Sequence, residues 1–234
     1  MTSKPIVHIM KRGKEKPKAY YPIFLNINGN KCVIVGGGKV ALRKVKMLLE
    51  CGAKVTVISP ILHQDLVRLA QGKALRLIER DYEPGDLDGA VVVIAATDAE
   101  EVNRNVAHEA KKRGILVNVV DDPGESDFIV PSFLRRGDLT IAISTGGTSP
   151  ALAKKIRTKL EQDFGKEYGL LLPLIGEVRS TVKEKAIMVR EKAWQEALDL
   201  DSLIRLIQKG QREKAKTLLL NKLKAYRRGY KFKR

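Results

Sequence analysis

Gly36, Gly37 and Gly38, followed by Lys39, Val40 and Ala41, fit the pattern G-x-G-x-x-A. Each position has a physical task in holding a pyrophosphate. The first glycine permits a tight turn, Gly38 lets the phosphates approach the backbone, and Ala41 keeps the following helix close to the preceding strand. The N–H groups at the start of that helix, with its positive end, favour the anion. Such a pattern carries weight only between a strand and a helix. Here Lys31 to Val35 is an apolar strand run, and Lys39 to Cys51 has helical spacing with Val40, Ala41, Val45, Leu48 and Leu49 on one face. The chemistry implied is dinucleotide binding, with Gly36, Gly37, Gly38, Lys39 and Val40 as contacts.

In an NAD site an acidic residue commonly ends the second strand and binds the ribose hydroxyls. This sequence has Ser59 and Pro60 there. A serine can make one such hydrogen bond but does not repel a 2′-phosphate, so these residues leave NAD and NADP both open. Ligands of open α/β sheets bind beyond the carboxyl ends of the strands. Ala96 and Thr97 stand at one such end, with Asp98 and Glu101 spaced as a capping box for the next helix. Asn118 and Asp121 stand at another. Asp121 has no helix to cap and precedes a loop, which makes it a candidate site residue.

A second cluster runs Ser144, Thr145, Gly146, Gly147, Thr148, Ser149, Pro150. Ser149 and Pro150 read as a capped helix start. The glycines and the hydroxyl residues before them add a loop of N–H and O–H donors suited to carboxylates or phosphate. His8, His63 and His108 form no constellation, and no metal-ligand spacing appears.

The elements that must position these groups alternate short apolar runs with amphipathic segments, the pattern of βαβ units. Strands are expected at 31–35, 54–58, 75–78, 90–95 and 116–120, with helices at 39–51, 62–71 and 98–113. That order predicts an α/β fold, a Rossmann-like doubly wound parallel sheet. Beyond Asp121, Phe128–Val130 and Leu139–Ser144 read as antiparallel strands around the Arg136-Gly137-Asp138 turn. A helix follows from Ser149 to about Phe164, and the chain from Pro173 onward is helical, interrupted near Asp199–Asp201 and at Gly210. The expected division is a basic extension at 1–19, a nucleotide-binding domain at 20–127, a small linking region at 128–165 and a helical C-terminal domain at 166–234.

The formal net charge is +17 over 234 residues, which invites a nucleic-acid reading. Its distribution argues against one. Six Lys/Arg against one Glu lie between Lys4 and Lys18, and twelve against one between Arg205 and Arg234. The body between is nearly neutral, and beside the basic ends only Tyr226, Tyr230 and Phe232 hint faintly at interleaved aromatics. No segment has the apolar length of a membrane span or a signal peptide. The two cysteines, Cys32 and Cys51, read as buried reduced thiols. The expected compartment is the cytoplasm.

Taken together, Tyr21–Leu25, Val33–Ala41, Arg43-Lys44, Ala95–Asp98, Asn118–Asp121 with Pro123, Phe128–Ser132 and Ser144–Pro150 resemble the N-terminal module of siroheme synthase. This is the precorrin-2 dehydrogenase and sirohydrochlorin ferrochelatase family. The resemblance covers about Tyr20 to Phe164. It implies oxidation of precorrin-2 to sirohydrochlorin with NAD+ accepting hydride and, in many members, insertion of Fe²⁺ as a substrate metal. It also implies a homodimer formed largely through the linking region, catalysis through Asp121, and a tetrapyrrole polycarboxylate met by Asn118 and by Ser144, Thr145, Gly146, Gly147 and Thr148. The basic ends are not part of the family pattern. A non-enzymatic NAD-sensing module is the alternative; it would need the glycine motif but not the Ser144–Pro150 cluster.

Overall fold

Five apolar runs form one parallel sheet: β1 (Lys31–Val35), β2 (Lys54–Ile58), β3 (Leu75–Ile78), β4 (Ala90–Ala95) and β5 (Leu116–Val119), in the order β3-β2-β1-β4-β5. The computed structural model describes residues 19–71, 74–186 and 188–229. The basic extension before Ala19 and the last basic residues of the chain lie outside them. The sheet is covered on both faces. Cys32 and Ile34 of β1 point into one core with Ala41, Leu42 and Val45 of α1 (Lys39–Glu50) and Leu66 of α2 (Gln64–Leu69). Val33 and Val35 point into the other, with Val106, Ala107 and Ala110 of α3 (Glu100–Arg113). Alternation along β1 therefore feeds two cores, which is why its run is apolar throughout. The order reverses between β1 and β4, so the sheet has its switch point where the glycine turn leaves β1.

Several helix ends differ from the sequence reading. Asp98 does not cap α3: the N-cap is Ala99, without a side-chain bond. Asp98 stands one residue too early to reach the first free N–H groups, and Glu100 and Glu101 favour that end by charge alone. The cap of α2 is His63, whose Nδ1 accepts from the Asp65 N–H at 3.2 Å. Cys32 is buried, with its thiol pushed up to about 11 by burial, whereas Cys51 is exposed at the end of α1, contrary to expectation.

The chain divides into two compact units between Val130 and Pro131. In the second, β6 (Ser132–Arg136) and β7 (Leu139–Ile143) pair antiparallel across the expected turn. The expected strand at Phe128–Val130 is not formed. The Phe128 carbonyl accepts from the Asn118 amide at 3.0 Å, and Pro131 holds Val130 extended without supplying a ladder donor. Next come α4 (Pro150–Asp163), α5 (Glu167–Glu184), α6 (Glu191–Ala197), α7 (Leu200–Gln208) and α8 (Arg212–Gly229). Helix α5 begins six residues before Pro173 and contains that proline. Gly169, whose carbonyl Pro173 leaves without its helical donor, lies against the backbone of Arg136 and Gly137, where a Cβ would come within 3.1 Å.

Leu171, Leu174 and Val178 of α5, Leu203 of α7 and Ala215, Leu219 and Leu223 of α8 form the helical core. Leu223 is 1% exposed, so the core reaches into the basic end of the chain. Deleting Arg227 to Arg234 keeps all of these core residues and is expected to leave the melting temperature near wild type. A cut at Leu223 should unfold the helical unit, read by circular dichroism.

Asp199 caps α7 through the Ser202 N–H at 3.2 Å and pairs with Lys222 of α8 at 2.8 Å. The Lys222 ammonium, then the Ser202 N–H, lower its pKa to about 2. Its stabilisation is therefore full above the ordinary carboxylate range and lost as pH falls through the folded value. Asp199→Ala should lower the melting temperature near neutral pH, with the gap to wild type closing as pH falls from about 4 to about 2.

Candidate functional site

The glycine turn is made by close approach on two sides. Gly36 has φ +121°, and a Cβ there would lie 2.2 Å from the Ala96 carbonyl oxygen, so β1 and β4 can leave the sheet side by side only with glycine at this position. At Gly37 a Cβ would meet the Ile61 carbonyl at 2.0 Å and the Ser59 hydroxyl at 2.8 Å. Gly38 is different. It is exposed, its φ of −84° suits any residue, and a Cβ would meet nothing within 4 Å. Neither packing nor backbone requires glycine there, but a group lying against the turn would. No side chain caps α1 at this end, so the helix presents its first N–H groups and its positive pole beside Gly38. Lys39 and Val40 are both exposed in that first turn. An anion such as a pyrophosphate fits this cradle.

Ser59 is buried, and its hydroxyl donates to the Ile61 carbonyl at 2.7 Å. It shapes the wall behind Gly37 and has only acceptor capacity left for a ribose; Pro60 beside it is exposed. At the end of β4, Thr97 is locked by a residue the sequence did not single out. Asn103, buried on α3, accepts from the Thr97 hydroxyl at 2.9 Å and donates to the Thr97 carbonyl at 2.9 Å. The Thr97 Oγ1 in turn accepts from the Ala99 N–H at 3.2 Å. Ala96 and Thr97 are thereby fixed next to Gly36.

The loop after β5 is pinned more tightly still. Ser126, also buried, accepts from the Val119 N–H at 2.9 Å and lies 2.7 Å from the Asp122 carbonyl. The Asp122 carboxylate accepts from the Gly124 and Glu125 N–H groups at 2.9 and 3.1 Å, and Asp127 accepts from the Val117 N–H at 3.0 Å. Asn118 is 8% exposed, and its Nδ2 donates to the Phe128 carbonyl at 3.0 Å. The turn over residues 121–124 is thus held by Asp122. Asp121 itself is exposed and has φ +62°, one of two non-glycine residues with positive φ among those described. A left-handed aspartate held by its neighbours stores backbone strain and leaves its carboxylate uncommitted to the turn.

The Asp121 charge reaches Lys44 on α1. The Lys44 pKa is lowered by partial burial first and by the neighbouring Arg43 second, while Asp121 acts in the opposite sense. Lys44 thereby joins the candidates although it was not predicted as a site residue.

In the second unit, the Ser144–Ser149 loop is held by its own hydroxyls. Ser144 accepts from the Gly146 N–H at 3.1 Å, Thr145 from the Ser149 N–H at 3.1 Å, and Ser149 from the Leu152 N–H at 3.2 Å as the cap of α4. Gly146 and Gly147 have φ +61° and +84° with open space around them. Thr148 is exposed. The hydroxyl oxygens serve the loop, leaving their hydrogens to donate outward. Arg136 is not available in the same way: its Nε donates to the Phe164 carbonyl at 2.9 Å.

The family model for putative NAD(P)-binding proteins matches residues 23–132, and that for the sirohaem biosynthesis protein central region matches residues 136–163. A siroheme synthase of Methylobacillus flagellatus is 48% identical over 165 residues, covering 70% of this chain and 35% of the relative. A siroheme synthase of Tolumonas auensis is 39% identical over 208 residues, covering 88% and 44%. Among solved structures, SirC, precorrin-2 dehydrogenase, superposes with a TM-score of 0.66 at 25% identity, covering 88% of this chain and all of that one. The chain spans less than half the length of these siroheme synthases. No helix among the described residues is long and apolar enough to cross a membrane, and no group of three or more His, Cys, Asp or Glu there is arranged to hold a metal ion.

Proposed function

We propose that the chain is a member of the siroheme synthase family and oxidises precorrin-2 to sirohydrochlorin with NAD+. The observation that carries the reading is the glycine turn at the sheet's switch point, with Gly38 open to a ligand and Asp121 held in a strained conformation beyond the next strand but one. The alternative, an NAD-sensing module without catalysis, gives the Asp121 strain and the preformed Ser144–Ser149 loop nothing to do.

When bound, the nicotinamide accepts a hydride from the partly reduced macrocycle; everything else falls to the protein. Gly36, Gly37 and Gly38 shape the turn, and the N–H groups of Lys39 and Val40 bind the pyrophosphate. Ala96 and Thr97 form the wall beside it. Asp121 takes the proton that leaves the macrocycle as the hydride departs, so the products are sirohydrochlorin, NADH and one proton. The Ser144–Thr148 donors and the α4 N-terminus bind substrate carboxylates. We assign Fe²⁺ insertion to the same carboxylate, with two pyrrole protons leaving as the metal enters as substrate. A homodimer is supported by Leu152 and Ile156 of α4, apolar residues that are 50% and 37% exposed.

The choice of NAD+ over NADP+ rests on the family resemblance, and the segment after β2 is compatible with it. Ser59 to Gln64 contains no Lys or Arg to meet a 2′-phosphate. Binding of NAD+ should be at least tenfold tighter than that of NADP+ by titration calorimetry; equal affinities would overturn the assignment. The activity itself is tested by mixing the protein with precorrin-2 and each cofactor. The sirohydrochlorin spectrum should develop with NAD+ and not without it. A chain that binds NAD+ yet leaves precorrin-2 unchanged would support the sensing module.

A further inference from the structure

A groove of about 1070 Å³ lies within the helical unit, lined by α5, α6, α8 and the chain between α5 and α6. That is the upper range of small-molecule sites, large enough for several fused or linked rings. Its apolar lining includes Val182, Val189, Trp194 and Leu223. Arg179 and Lys183 on α5 and Lys192 on α6 line it as well. The Arg179 guanidinium stacks over the Trp194 ring at 5.4 Å, which fixes its plane and leaves its edge to grip a carboxylate. Neither Arg179 nor Lys183 forms an ion pair among the described residues. The one acid lining the groove, Glu196, is hydrogen-bonded by the Tyr226 hydroxyl and lies 3.9 Å from Lys192.

We propose that this groove binds a polycarboxylated macrocycle, its flat body against Val189 and Trp194 and its carboxylates on the cations of both helices. An apolar lining with cations contributed by two different helices matches a ring with carboxylates on more than one edge; a fatty acid would satisfy one helix only. The remaining segments of this chain are poor occupants by charge, since residues 1–18 and 230–234 are themselves strongly basic. That the ring is a tetrapyrrole rests on the reaction proposed above; that it is a polycarboxylate does not. The groove would hold a macrocycle on the helical unit before or after oxidation.

The probe is uroporphyrin, a macrocyclic polycarboxylate, measured by equilibrium dialysis with the full chain at about 0.15 M salt. Arg179→Glu with Lys183→Glu should remove one bound equivalent, or weaken it at least tenfold, while melting temperature, NAD+ affinity and precorrin-2 turnover at saturation stay at wild-type values. Lys192→Glu alone, on the facing helix, should weaken the same equivalent. Unchanged uroporphyrin binding in the double variant overturns the proposal. So does a double variant that binds uroporphyrin normally but loses self-association in sedimentation, which would make the groove an interface between copies. A protein that binds the lost equivalent yet never oxidises precorrin-2 would instead sink the dehydrogenase reading and leave a polycarboxylate site standing.

Discussion

Asp121→Ala lowers the rate of precorrin-2 oxidation by about 10²–10⁴-fold, the range for loss of a general acid–base group, while NAD+ affinity stays near wild type. The separation of the two readouts follows from the structure. The cofactor cradle is built by the turn after β1 and the end of β4, and the Asp121 carboxylate takes no part in either. Alanine tolerates a φ of +62° less well than aspartate, so this variant alone confounds strain with chemistry. Asparagine tolerates the left-handed conformation and removes only the charge. Asp121→Asn should therefore keep the melting temperature and lose the same activity. Equal loss of stability, cofactor affinity and rate in both variants would return Asp121 to a structural role. Iron insertion measured on the same preparations shows whether one carboxylate serves both steps: it should fall with the dehydrogenase.

Gly38→Asp abolishes measurable NAD+ binding, a loss of at least about a hundredfold, because like charges brought together cost several kcal/mol and each 1.4 kcal/mol is tenfold. The protein should remain folded. The new Cβ meets no atom within 4 Å, and the backbone φ there is −84°. Gly36→Ala and Gly37→Ala serve as the contrast, since their Cβ atoms would collide with the Ala96 and Ile61 carbonyls at 2.2 and 2.0 Å. Those variants should lose melting temperature together with binding. Unchanged NAD+ affinity in a folded Gly38→Asp protein would remove the cofactor from this turn.

Much of the architecture is visible in the residues. Strands buried on both faces are short, uninterrupted apolar runs, and β1 to β4 fall where those runs do, with β5 ending one residue early. Three local signals did not decide the structure. Pro173 reads as a helix start, yet α5 carries it in its first turns while Gly169 packs against the hairpin. Phe128–Val130 has strand composition, but its carbonyl is taken by Asn118, ten residues earlier. Asp98 has capping-box spacing, and the helix begins one residue too late for it.

The site was legible to the same degree. Glycines with fixed spacing announce themselves, and a carboxylate after a strand with no helix to cap stands out. Asn103, Ser126 and Lys44 did not. Each is an ordinary polar residue in a helix or loop, and its importance comes from what it touches across the sheet edge: Thr97, the Val119 backbone and the field of Asp121. Asn118 does stand out by its position at a strand end, and what the sequence does not show is that its Nδ2 also ties the loop at Phe128.

The central claim is hydride transfer from precorrin-2 to NAD+ by this chain. Its most direct test is a single-turnover experiment with protein in excess over precorrin-2, following the macrocycle and the reduced nicotinamide together. One NADH should appear for each sirohydrochlorin formed, with the two signals rising at one rate. Both should slow in parallel in Asp121→Asn. Sirohydrochlorin appearing without NADH, or at a rate independent of the protein, would contradict the account.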